Sequence, residues 1–282
     1  MKRWSRAGFS LIELLVIIAV MAVLMTLLLP AIHAVRSRAQ TSRCANNLTQ
    51  VSLALHSYEG LYRVLPPGCV EPLGGPILNV NRGYQMGWLP QILPQMDQAL
   101  AFRKIDFKVG AHHANNAPVA DHSIEVLLCP SDWFARKPRP TSYAACHHEV
   151  EAPIDADNHG VMFLNSRIRM KDVSDGAGVT IFLGEKLRHQ GDFSWMTGTR
   201  ASLRNTGDPI NAAFATGPPP NGMTPAPAPN VVGGFASFHG GGANMAFGDG
   251  GVRFVTDSID LIVYRRLGHR DDGNLVGADA LP

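Results

Sequence analysis

The chain has 282 residues, of which 45% are hydrophobic and 17% charged, and its formal charge is +2. The basic excess is concentrated at Lys2, Arg3 and Arg6, ahead of the first apolar stretch, so it gives no ground for a nucleic-acid partner. The length past the first sixty residues is enough to bury a core.

From Leu14 to Leu29 the sequence LLVIIAVMAVLMTLLL carries no charge, and between Leu11 and Pro30 only Glu13 is charged. A helix of about 20 residues spans about 30 Å, the thickness of bilayer hydrocarbon. The basic residues before it predict a cytoplasmic N-terminus and a domain outside the cytoplasm. A cleaved secretory signal is a poor fit, because Ala31-Ile32-His33-Ala34 follows a run too long for that role. Glu13 is costly in hydrocarbon unless paired or near the interface. Were the chain cut after Gly8, the new amine of Phe9 would lie one helical turn from the Glu13 carboxylate. Such an amine could neutralise Glu13 of a neighbouring copy in a bundle of packed helices.

Gly8-Phe9-Ser10-Leu11-Ile12-Glu13 followed by an apolar helix resembles the cleavage and methylation signal of type IV prepilins and type II secretion pseudopilins. The resemblance implies that a prepilin peptidase cuts between Gly8 and Phe9 and methylates the Phe9 amine. It also implies a helix kink at Pro30. Removing the leader takes away Lys2, Arg3 and Arg6, three positive charges, and turns the formal charge from +2 to −1.

Beyond Pro30 the helical pattern continues. Ile32, Val35, Ala39, Leu48, Val51, Leu55 and Tyr58 recur mostly at three- and four-residue steps, one apolar stripe. Gly60 and Pro66-Pro67-Gly68 end it. Short β-like runs follow at 126–128, 160–164, 179–183, 243–247 and 252–255, and Gly248-Asp249-Gly250-Gly251 is a hairpin turn signal. Residues 88–104 and 257–267 read as short helices. The Pro-rich stretch 208–230 reads as an exposed loop. The expected architecture is α+β: a leader over 1–8, a transmembrane segment over 9–30, an amphipathic continuation over 31–60, and a mostly antiparallel sheet domain over 61–282.

A second resemblance covers nearly the whole chain. It is carried by Arg43-Cys44-Ala45-Asn46-Asn47-Leu48, Leu65-Pro66-Pro67-Gly68, Leu128-Cys129-Pro130-Ser131-Asp132, Val173-Ser174-Asp175-Gly176, Leu183-Gly184-Glu185 and the stretch His239 to Gly250. These pieces resemble the planctomycete prepilin-like proteins with a DUF1559 domain. His239, Asn244, Asp249 and Gly250 fall in that family's H-X9-DG signature. Ala177-Gly178-Val179-Thr180 departs from the family's usual Thr-Ser-Asn-Thr. The family's activity is not established, so the resemblance implies topology and processing but no reaction.

Candidate chemistry beyond the N-terminus is sparse. Cys129 and Cys146 flank a turn-rich segment and, in an oxidising compartment, are the expected disulfide, worth about 3 kcal/mol. Cys44 with Cys69 is a second candidate pair. His112-His113 and His147-His148-Glu149 invite a metal reading, but neighbouring residues of a strand face opposite ways, which weakens either pair as a chelate. Asp155, Asp157 and Asn158 lack the spacing of a calcium loop. His239 and Asp249 could form an acid–base pair, although an Asp in a Gly-rich hairpin usually caps the turn. Glu185 has no evident partner, and Trp88 and Trp195 read as core or rim. No enzymatic activity, metal or cofactor is expected.

The function expected is that of a pilin-like structural subunit at the inner membrane, with a prepilin peptidase, the membrane and copies of itself or other pilin-like subunits as partners. The alternative is a monomeric, membrane-anchored envelope binding protein that uses the signal for targeting only.

Overall fold

The computed structural model describes residues 10–132, 140–214, 223–274 and 276–277. The chain forms two compact units, residues 1–40 and 41–282. Helix α1, Leu11–Tyr62, contributes to both and passes through Pro30 without ending.

In the first unit every residue from Ser10 to Ala39 is exposed, including the whole apolar run. Among the described residues nothing in this unit covers it, so its burial requires lipid or other helices. Ser10 starts the helix: its Oγ accepts from the Glu13 amide at 3.3 Å, while Glu13 Oε2 accepts from the Ser10 amide at 2.8 Å. This reciprocal cap satisfies two amides that have no partner within the helix. Pro30 has no N–H to reach the Thr26 carbonyl, and that missing bond is the physical basis for a kink there.

The second unit is built on a five-stranded sheet in the order β6–β3–β4–β8–β9. The strands are β3 (Tyr143–His148), β4 (Ile181–Glu185), β6 (Leu203–Asn205), β8 (Gly242–Phe247) and β9 (Val252–Thr256). Within this sheet, among the described residues, only the β3–β6 pair is parallel. Two small sheets pair β1 (Cys69–Val70) with β2 (Met86–Gly87), and β5 (Arg188–His189) with β7 (Met223–Thr224). One face of the main sheet packs in a core with Cys44, Leu48, Val51 and Leu55 of α1, contributing Tyr143, Ala145, Leu183 and Leu203. The other face, with Ala144, Cys146, Met245 and Phe247, packs on Tyr264 and Leu267 of a C-terminal helix, Leu261–Gly268. Asp260 caps that helix by accepting from the amides of Ile262 and Val263. The architecture is thus α+β, with a sheet covered on both faces.

Several elements differ from expectation. Residues 125–127 form a 3-10 turn, and 160–164 contribute only an isolated bridge between Leu164 and Cys69. The segment 88–104 breaks into short helical pieces, because Asp97 adopts a left-handed φ of 56°. Strand β3, an interior strand between β6 and β4, is not among the expected runs. In the Pro-rich stretch, Met223 and Thr224 pair with β5, and Arg200 donates to the carbonyls of Pro227 and Ala228.

Candidate functional site

Glu185 ends β4 with 2% of its surface exposed. Its Oε2 accepts from the backbone amide of Asn244 at 2.7 Å and from Asn244 Nδ2 at 3.0 Å. Its Oε1 lies 3.1 Å from Nε2 of His239, whose Nδ1 is 3.1 Å from Thr41 Oγ1. The antiparallel pairing of β4 with β8 puts Gly184 opposite Met245 and so brings Asn244 to the carboxylate. Residues 54 and 59 positions away in sequence thereby satisfy one buried acid.

Beside this group lies the disulfide. Cys44 of α1 is bonded to Cys129, with Cα atoms 5.2 Å apart, and Cys129 Sγ is 3.5 Å from His239 Nε2. Neighbouring bonds fix the same turn of helix: Tyr143 Oη donates to the Cys44 carbonyl and Asn47 Nδ2 to the Leu128 carbonyl. The expected Cys129–Cys146 bridge is therefore corrected. Cys146 lies on the opposite face of β3, its thiol directed at the carbonyls of His148 and Gly268, while Cys129 belongs to the core shared with α1. Burial pushes the Cys146 thiol up to about 12, and Cys69 is likewise a buried free thiol. The Cys44–Cys69 pairing also falls, since Cys44 is taken.

Cys44, Cys129, Glu185 and His239 bring four potential ligand atoms together. With the sulfurs bonded to each other there is no thiolate to donate, so this set does not suit a metal while the bond is intact. A cleft lined by Cys129, Asp132, Ser142, Glu185, Lys186 and Ser237 reaches the group, but its inner space of about 10 Å³ matches one water rather than an organic substrate. Two roomier clefts of about 370 Å³ each are lined by other residues, among them Leu100 and His122 in one and Ile77 and Arg82 in the other. The group is an interior polar clamp that ties β4, β8 and α1 together.

Next to it lies a buried charge network. Asp192 accepts from Arg200 Nε at 2.9 Å, with Lys186 Nζ at 3.5 Å and Arg204 Nη2 at 3.7 Å. Burial lowers Lys186 to about 7 against the pull of Asp192. Burial alone would raise Asp192, but Lys186 and Arg204 outweigh it and hold the carboxyl below its usual range.

Asp249 does not meet His239. It caps its own turn by accepting from the Gly251 amide at 2.8 Å and pairs with Arg253 at 3.0 Å, while Gly250 takes the φ of 84° that the turn requires. The H-X9-DG residues thus divide between a buried clamp and a surface turn. His112 bonds Gln85 and His113 caps a helical turn through Asn115, so that pair does not converge. Asn158 accepts from the Asp155 amide and contacts His147. Trp88 and Trp195 are core residues. Gly8 and Phe9 lie outside the described residues.

The chain matches the prokaryotic N-terminal methylation motif over residues 5–29, which indicates a pilin-like prepilin signal leading into the exposed apolar helix. Over residues 33–261 it matches a family described as protein of unknown function (DUF1559), and the chain belongs to that family. No curated protein and no solved structure is similar enough to count as a match.

Proposed function

We propose that this chain is a pilin-like structural subunit of the inner membrane. A prepilin peptidase cuts it between Gly8 and Phe9 and methylates the new amine. The helix then moves from lipid into a type IV pilus or type II secretion-type filament, with the globular domain outside the cytoplasm. The observation that carries this reading is the apolar run of α1, exposed throughout its own unit, with Glu13 its one charge before Arg36. In lipid that surface is satisfied by acyl chains, and in a filament by copies of the same helix. The Phe9 amine of one subunit pairs with Glu13 of the next, which turns a costly acid into a register mark.

The test is Glu13→Ala in cells, followed by membrane fractionation and shearing of surface polymer. The variant is expected in the membrane fraction but absent from polymer. Normal assembly would overturn the pairing. Wild-type chain recovered only as detergent-soluble monomer would favour an anchored binding protein instead.

A further inference from the structure

We propose that His148, Glu149 and His159 form a binding site for a divalent transition-metal ion of the zinc type. His148 is the last residue of β3, Glu149 follows it, and the chain returns ten residues later with His159. The return is fixed by backbone bonds from Gly160 to the His147 carbonyl and from Val161 to the Cys146 carbonyl. Gly160 permits the approach, since a Cβ there would lie 2.5 Å from the His147 carbonyl carbon. The His159 carbonyl is held in turn by the Arg270 amide at 3.1 Å. The site thus rests on a strand end and a pinned loop rather than on free side chains.

The ligand atoms converge. Glu149 Oε2 contacts His148 Nδ1, which also accepts from the Glu149 amide at 3.0 Å, and Oε1 lies 3.0 Å from His159 Nδ1. One nitrogen from each imidazole and a carboxylate oxygen lie within 4.8 Å of one another. Ligand atoms around a tetrahedral ion with bonds of about 2.0–2.2 Å sit about 3.3–3.6 Å apart, so small side-chain rotations close the shell. Two imidazoles with one carboxylate suit zinc, copper or nickel rather than calcium or magnesium.

Exposure rises from 11% for the His148 side chain to 20% for Glu149 and 46% for His159, so the cluster opens to solvent on one side. Three protein ligands leave a coordination position for water or an outside group. The neighbouring trio of Asp175, His269 and Asp272 is different in kind. Both Asp175 oxygens are taken by the amides of Asp272 and Gly273, so it is a loop cap, and His269 Nδ1 accepts from the Asp271 amide at 3.1 Å while its ring lies 4.7 Å from that of His159. The strand argument against His147 with His148 holds, since His147 turns inward to Asn158. The chelate uses a histidine from the returning loop instead.

The experiment titrates zinc into the tag-free full chain, purified in detergent and stripped with a chelator, with calorimetry and native mass spectrometry as readouts. One zinc per chain is expected, with affinity reduced at least tenfold in both His159→Ala and Glu149→Gln and unchanged in His112→Ala. Thermal unfolding of His159→Gln, a milder change at the most exposed ligand, checks that loss of binding is not loss of fold. Absence of saturable binding, or equal affinity in wild type, His159→Ala and Glu149→Gln, would overturn the site.

Discussion

Ser10 and Glu13 exchange hydrogen bonds across the first turn of α1, each side chain accepting from the other's backbone amide. Glu13 therefore has a partner within its own helix before any neighbour arrives. The cap needs only an acceptor oxygen, whereas pairing with an amine needs the negative charge. Glu13→Gln separates the two roles. It should keep the helix start and membrane insertion but fail to enter polymer, as read by sheared-filament yield against membrane content. Polymer at wild-type level would mean that the cap is the residue's main role.

The Cys44–Cys129 bond closes a loop with a sequence separation of 85 residues. Chain-entropy reasoning gives such a loop about 4–5 kcal/mol of stabilisation, and measured values for native bridges run about 2–5 kcal/mol. Cys44→Ser with Cys129→Ser should lower head-domain stability by that order in denaturant unfolding. Non-reducing peptide mapping should find these two cysteines linked, with thiols at Cys69 and Cys146. A Cys129–Cys146 peptide would contradict the structure.

Asn244→Asp changes one side-chain group and places a second carboxylate about 3 Å from Glu185 Oε2. Two buried acids at that distance cannot both stay ionised. The cost should be about 2–4 kcal/mol near neutral pH, shrinking as the solution is acidified enough to protonate one of them. Thermal midpoints of wild type and variant at two pH values check both the size and the trend.

Acid should destabilise the head. Burial lowers His147 to about 3 and, with Arg204 nearby, lowers His189 to about 3, both from an ordinary 6.5. Between those values the unfolded chain binds protons that the folded chain refuses, so stability falls as pH drops from about 6.5 toward 3. Each residue contributes a slope of at most about 1.4 kcal/mol per pH unit. His147→Gln should flatten the dependence of the urea midpoint on pH in that window. An unchanged slope would show that His147 does not supply it.

Local patterns carried much of this molecule. The apolar run, the Gly-rich turn between β8 and β9 and the existence of the last helix are readable because each depends on neighbours in sequence, although that helix begins at Leu261 rather than 257. Strand β3 is hidden for a physical reason: Tyr143 to His148 include no β-branched residue, end in two histidines and adjoin no hairpin turn signal, although all six are buried. Missing β3 also hid which way Cys146 faces, and with it the true disulfide. Glu185 looked partnerless because His239 and Asn244 reach it through the pairing of β4 on β8. The sign that could have flagged the group is the presence of Cys44, Cys129, Glu185 and His239 each inside a family-like motif, although those motifs do not say that they meet.

The covalent bond at Cys44 also has a mechanical meaning. A pull arriving along the chain at Thr41 meets a cross-link to Cys129 within the next helical turn, before it reaches the packed residues Leu48, Val51 and Leu55. Load is then shared with Cys129 and the core around it through a bond that ordinary stretching does not break. The later turns of α1 are spared from being peeled off the sheet one by one. Reduction would remove that protection, so the same domain should unravel at lower force once its bridge is opened.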